Sequence, residues 1–510
     1  MTENVTPIFE GHEWSFELLQ KAYDSIEEIA IGELGLDVYP NQIEIISSEQ
    51  MLDAYSCVGL PLMYQHWSFG KHFVRDEAYY RKGLAGLAYE IVINSNPCIS
   101  YNMEENSMAL QTLVMAHAAF GHNHFFKNNY LFREWTDADS IHDYLAFAKN
   151  FVANCEERYG VDQVEDILDA AHALRDQGVF RYRRPPRPTA RELEAIHRQR
   201  DQHAAQQSVL DLWTDSTLGS GKTGQAQDSH RGLRQPDLNL PQENVLYFLE
   251  KHSPNLEPWQ SEIVRIVRYL AQYLYPQKQT KVMNEGCATF VHYYIVNRLL
   301  EKGLITQGAF MEMMHSHTSV IKQPDFDDPM FPGLNPYALG FAMMQDIRRI
   351  CENPTKEDLD WFPDFAGNDD WKSVLREAWA NYRDESFILQ FLSPALIRKL
   401  KLFVITDDAD KSDLVVSQIH NQQGYREIRR TLARSYDLAY LVPDIQVSDV
   451  DLKGDRELKL CHSVLDNIML EEKSRDDVLR YTKRLWGYDV SLCGRDRDSE
   501  ATIYRASTRD

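Results

Sequence analysis

The sequence predicts a mainly α protein, with a large helical N-terminal domain and a small α+β C-terminal domain. Three observations carry this reading. Apolar residues recur at helical spacing through most of the first 395 positions. Short strand-like runs set in from about Lys399. A polar stretch at 181–242, poor in large apolar residues, divides the helical part in two. The expected organisation is therefore 1–180 and 243–395 as helical domain, 181–242 as a partly flexible excursion, and 396–510 as the C-terminal domain.

Taken in order, Phe16 to Gly32, Asp76 to Asn94 and Asn106 to Phe120 carry apolar residues at helical spacing. Asn106 or Ser107 is the expected N-cap of the third segment, with Gly121 as its C-terminal stop. The excursion opens on Arg183-Arg184-Pro185-Pro186-Arg187-Pro188 and reads as a solvated linker. Within it, Gly219-Ser220-Gly221-Lys222-Thr223 is a partial phosphate-loop pattern. Ser216 stands where the full pattern needs glycine, which argues against nucleotide binding. Helical spacing resumes at Asn244 to Glu250, Pro258 to Tyr275, Asn284 to Lys302, Tyr337 to Cys351 and Trp371 to Phe391. Strands are expected at 402–405, 413–417, 445–447 and 458–460, with helices at Tyr425 to Tyr436 and Arg475 to Trp486.

Composition narrows the function classes. The 510 residues carry a formal charge of −23, which repels phosphate backbones and disfavours nucleic-acid binding. The seven cysteines are scattered and form no CxxC pair, so neither a disulfide framework nor a cysteine zinc site is expected. No apolar run reaches the roughly 20 residues of a membrane span. The first residues lack a secretion signal. A soluble cytoplasmic protein is expected.

Chemistry concentrates in Ala116-His117-Ala118-Ala119-Phe120-Gly121-His122-Asn123-His124-Phe125-Phe126. Three histidines in apolar surroundings need buried partners: carboxylates, carbonyls or a metal. On a regular helix His117 and His122 lie about 140° apart, and His117 and His124 about 10 Å apart along the axis. A joint site then requires the helix to break at Gly121. The window has no HExxH pattern. Glu285, followed by the small residues Gly286 and Ala288, can project from a closely packed helix as a third ligand, as in His₂Glu zinc sites. Glu90 is read on an apolar helix face, where a carboxyl without a partner has a raised pKa. Each of these residues also has a plainer reading: a satisfied core histidine, or a buried ion-pair carboxylate.

Several segments resemble the SpoVR (stage V sporulation protein R) family. They are His66-Trp67-Ser68-Phe69-Gly70-Lys71, Asn94-Ser95-Asn96-Pro97, His117 to Asn129, Asn284-Glu285-Gly286, Ser316-His317-Thr318 and Asn335-Pro336-Tyr337-Ala338-Leu339-Gly340. The resemblance implies a cytoplasmic protein linked to spore-cortex formation, or to stationary-phase and starvation responses in bacteria that do not sporulate. It also implies association with a PrkA-type serine kinase and a von Willebrand-like partner. It implies no established reaction.

The leading expectation is a buried His/Glu centre for zinc or another divalent ion. His117, His122 and Glu285 are the expected metal ligands. Glu90 and His292 are the expected catalytic residues, Glu90 as general base or further ligand, and His66 and His317 are supporting donors. The expected chemistry is hydrolysis of an amide-type bond. The competing expectation is a non-enzymatic regulatory or scaffold protein acting with the kinase.

Overall fold

The computed structural model describes residues 6–56, 60, 63, 64, 66, 67, 90–182, 238, 240–325, 328, 331, 333–406, 415–418, 420–452 and 454–509. The glycine-lysine-threonine pattern at 219–223 and the arginine run from 183 lie outside them. The chain forms two compact units, one of residues 1–179 and 242–510, the other of residues 180–241. Every element below belongs to the first.

The fold is mainly helical, as the spacing predicts. Its N-terminal region is mostly helices and its C-terminal region is a four-stranded sheet with one long helix. Helix α1 (Phe16–Glu27) is capped by the Ser15 side chain and runs into a π-helical turn at Glu28–Glu33. Helix α2 (Met108–Met115) starts at the expected cap, Ser107, whose hydroxyl accepts from the Leu110 N–H.

Helices α3 (Pro258–Gln279), α4 (Lys281–Glu301) and α5 (Pro336–Glu352) follow the expected segments closely. Helix α4 is buried on nearly every side, from Val282 through Phe290 to Leu299, which places it at the centre of the core. It crosses α5 where Gly286 meets Gly340, and a Cβ on Gly340 would sit 2.2 Å from the Val282 carbonyl oxygen. Only two glycines permit this approach.

The segment expected as one helix over Trp371 to Phe391 is two, α6 (Trp371–Asn381) and α7 (Asp384–Phe391). The break frees Asp384 to accept from the Val282 and Met283 N–H groups at 2.8 and 2.9 Å. These are orphan donors at the start of α4.

Two corrections concern strands. The N-terminal region contains a sheet, in the order β1 (Asn41–Ile46), β3 (Cys98–Met103), β2 (Glu90–Ile93), with β1 parallel and β2 antiparallel to β3. Glu90 therefore begins a strand and does not sit on a helix. Its Ile91-Val92-Ile93 run is β-branched, and pairing with β3 outweighs its apolar helical spacing. Residues 76–89 of that expected helix lie outside the described residues.

The later strands are β4 (Val404–Thr406), β5 (Val415–Gln418), β6 (Asp444–Val450) and β7 (Leu458–Val464), near the expected runs. Two more, β8 (Val490–Asp496) and β9 (Thr502–Ser507), complete the order β6-β7-β8-β9. Strands β7 and β8 are parallel, so they need the crossover that α8 (Glu472–Trp486) supplies.

Candidate metal centre

The histidine window does not break at Gly121. After α2 the backbone continues helically as a π-turn at Ala116–His122 and then as α-helix over Asn123–Asn128. The Asn123 N–H reaches back five residues to the Ala118 carbonyl. In i→i+5 geometry, residues five apart fall on one face. His117 and His122 thus meet with ring centroids 4.6 Å apart and planes at 89°. The expected break is replaced by one extra residue per turn. Gly121 serves contact instead: a Cβ there would lie 2.5 Å from Ala288 Cα on α4.

Strand β2 brings Glu90 to this face, and α4 brings Glu285. His117 Nε2 lies 3.6 Å from Glu90 Oε1, and His122 Nε2 lies 3.6 Å from Glu285 Oε2. These separations are long for direct hydrogen bonds. They suit neighbouring ligands of one ion, each about 2.0–2.2 Å from it. Glu90, His117 and His122 each offer a ligand atom within 4.8 Å of the others, so this buried trio can hold a metal. Glu285 adjoins through His122, and its Oε2 is buried with no hydrogen-bond partner among the described residues. Glu90, His122, Asn284 and Glu285 line a cavity of about 360 Å³, with Tyr273 and Tyr337 in its wall.

Hydrogen bonds behind the trio fix which nitrogens face it. His122 Nδ1 lies 2.9 Å from Asn284 Oδ1, an acceptor only, so Nδ1 carries a proton and Nε2 is the nitrogen turned toward Glu285. His117 Nδ1 lies 2.9 Å from His292 Nδ1, and His292 Nε2 lies 2.8 Å from His317 Nδ1. One proton per contact lets three neutral rings donate in either direction, and ion binding at His117 Nε2 selects donation from His117 to His292 to His317. His117 Nε2 is the nitrogen turned toward Glu90. His292 sits behind His117 with both nitrogens engaged, and His317 behind His292.

Burial, then the neighbouring imidazoles of His122 and His292, hold His117 well below the usual histidine range. Burial and the His317 and His122 rings do the same to His292, and burial takes His317 to about 4. All three are neutral at neutral pH. Burial, and then the Glu285 charge, raise Glu90 to about 8. Asp384 rises to about 7, chiefly by burial, against its backbone hydrogen bonds.

The sign for metal binding follows. Without an ion, Glu90 keeps its proton below about pH 8, and binding as a carboxylate must release it. Zinc affinity is expected to weaken about tenfold for each unit of falling pH from 8 toward 6, and to level off above 8. His117 and His292, already neutral there, add no slope. Calorimetry in buffers of differing ionisation enthalpy would read this as about one proton released per ion at pH 7; none released would contradict it.

Two other described histidines, His124 and His66, make contacts away from the trio. His124 Nδ1 lies 3.0 Å from the Asp37 carbonyl oxygen, and the ring packs edge-on to Trp379. The expected supporting role of His66 is corrected: its Nε2 lies 3.1 Å from Asp169 Oδ1 and its ring stacks on His172. Sequence reasoning gave no role to Asn284, which orients His122, or to Asp384, which caps the helix carrying Glu285. The side-by-side Asn284-Glu285 pair was the available signal for the first. Nothing local marks the second.

The chain is similar to known proteins over nearly its whole length. The SpoVR like protein family matches residues 13–441, and the SpoVR-like C-terminal domain matches residues 443–497. The protein described as "Uncharacterized protein YcgB" of Escherichia coli (strain K12) is 51% identical over 503 residues, covering 99% of this chain and 97% of that one. No solved structure matches the chain. Among the described residues, no helix is long and apolar enough to cross a membrane.

Proposed function

The chain belongs to the SpoVR family, and on that premise we propose that it is a divalent-metal-dependent hydrolase of amide-type bonds. One observation carries the reading. Two imidazoles and a carboxylate converge beside a cavity, next to a second carboxylate whose buried oxygen has no hydrogen-bond partner among the described residues. That set, His₂Glu with an adjacent glutamate, matches the donor chemistry of catalytic zinc sites.

In this reading Glu90, His117 and His122 hold the ion, because their ligand atoms are mutually close. A divalent ion there supplies a Lewis acid that polarises a carbonyl and acidifies water. Glu285 acts as general base. It takes a proton from the water whose oxygen bonds to the amide carbon, and the proton passes to the leaving nitrogen as the C–N bond breaks. Asn284 and His292 are positioning residues, holding His122 and His117 with Nε2 toward the ion.

The test is a screen of zinc-loaded full-length protein against blocked peptides, read by amine release. Activity is expected to vanish on chelation and return with zinc. Glu285→Gln is expected to lower it by ~100-fold or more while zinc stays bound. Hydrolysis that survives chelation, or a Glu285→Gln enzyme of full activity, would overturn the assignment.

A further inference from the structure

A second cavity adjoins the metal cavity and is lined by basic side chains. Its volume is about 300 Å³, and it shares the side chains of Leu274 and Gln277 with the first. Arg175, Lys278 and Lys281 line it, with Asp176 as the only acidic lining residue among the described residues. Lys278 is already tied to Asp176 at 2.6 Å. Arg175 and Lys281 are exposed, and neither has a carboxylate partner among the described residues. Two uncompensated cations in one pocket stand against a chain of net charge −23.

The α4 helix links the two cavities directly. Lys281 and Glu285 are four residues apart on it, so their Cβ atoms are about 6 Å apart on one face. Lys281 faces the basic cavity and Glu285 the metal cavity. On the metal side, no lysine or arginine lines the cavity among the described residues, so an anionic group finds its cations only in the basic cavity. A substrate bearing one negative charge is therefore oriented, with its anionic end at Lys281 and Arg175 and its neutral amide at the centre.

We infer that the basic cavity is a substrate subsite for a carboxylate, and that the preferred substrate is an amide bearing an acidic group about one residue from the scissile bond. This rests on the hydrolase reading for the amide, but the anion subsite itself needs no metal. Leu274 and Gln277 form the shared wall over which the intervening segment lies.

The probes are N-acetyl-alanyl-glutamate amide and its glutamine and lysine counterparts, titrated calorimetrically into the full chain with and without zinc. The glutamate probe is expected to bind at least tenfold more tightly than the glutamine probe, with the lysine probe weakest. Combined Arg175→Gln and Lys281→Gln should abolish that preference, leaving the glutamine probe and zinc affinity unchanged. Lys281→Glu should shift the preference toward the lysine probe. Equal affinities for the three probes, or a preference that survives the double substitution, would overturn the inference. Neutral amides cleaved without acidic preference would sink the subsite and spare the hydrolase reading. Acidic preference in a protein that retains no zinc would do the reverse.

Discussion

Replacing His117 by asparagine is expected to weaken zinc binding by ~100-fold or more while the chain stays folded. Removing residues that only orient a ligand costs 10–100-fold in metal affinity, and in the proposed centre His117 is one of three ligand groups, so its loss belongs at or beyond the top of that range. Asparagine keeps a polar atom toward His292, whose Nδ1 lies 2.9 Å from His117 Nδ1, and so limits the structural damage. The comparison is His124→Asn. His124 is in the same window and equally buried, but it bonds the backbone around Asp37. That substitution should lower stability and change zinc affinity by no more than a few-fold. Competition against a chelator of known affinity measures both. Equal losses from the two substitutions would mean that the window acts as a structural unit, not as a ligand pair.

Replacing Gly340 by valine is expected to cost ~3 kcal/mol or more of stability and to weaken zinc binding with it. The new Cβ would lie 2.2 Å from the Val282 carbonyl oxygen and 2.8 Å from Gly286 Cα. Both neighbours are backbone, so no side chain can swing aside and α4 must move. Overpacking of this kind costs about 1–3 kcal/mol where side chains can adjust, and more where they cannot. Because α4 carries Asn284 and Glu285, its displacement should disturb the orientation of His122 too. Gly32→Ala is the control, since a Cβ there meets nothing within 4 Å. Denaturant midpoints and zinc titrations of the two variants should diverge. A Gly340→Val protein with unchanged midpoint would show that the helices part without penalty.

The helices were legible because burial of one face imposes a 3.6-residue period, and α3, α4 and α5 fall where that period places them. His117, His122 and Glu285 stood out because ionisable groups in apolar runs need partners. Their convergence was not legible. It depends on a π-turn, and the intrinsic preferences of Ala-His-Ala-Ala-Phe-Gly-His do not announce one. It also depends on the contact of Gly121 with Ala288, 167 positions away by the sequence numbering. Glu90 was misplaced for a related reason. A four-residue apolar strand and a helix end look alike locally, and only pairing with Cys98–Met103 decides between them. The sheet that holds Glu90 is completed by Asn41–Ile46, a distant parallel partner that no local pattern joins to it.

The central claim is that Glu90, His117 and His122 are ligands of one divalent ion. Metal content of the purified full-length chain, with zinc K-edge absorption on the same sample, tests it most directly. The expected result is one zinc per chain after loading and desalting, bound by two imidazole nitrogens and at least one carboxylate oxygen at about 2.0–2.2 Å. A folded chain that retains no stoichiometric metal at pH 9, above the range in which Glu90 holds its proton against the ion, would contradict it.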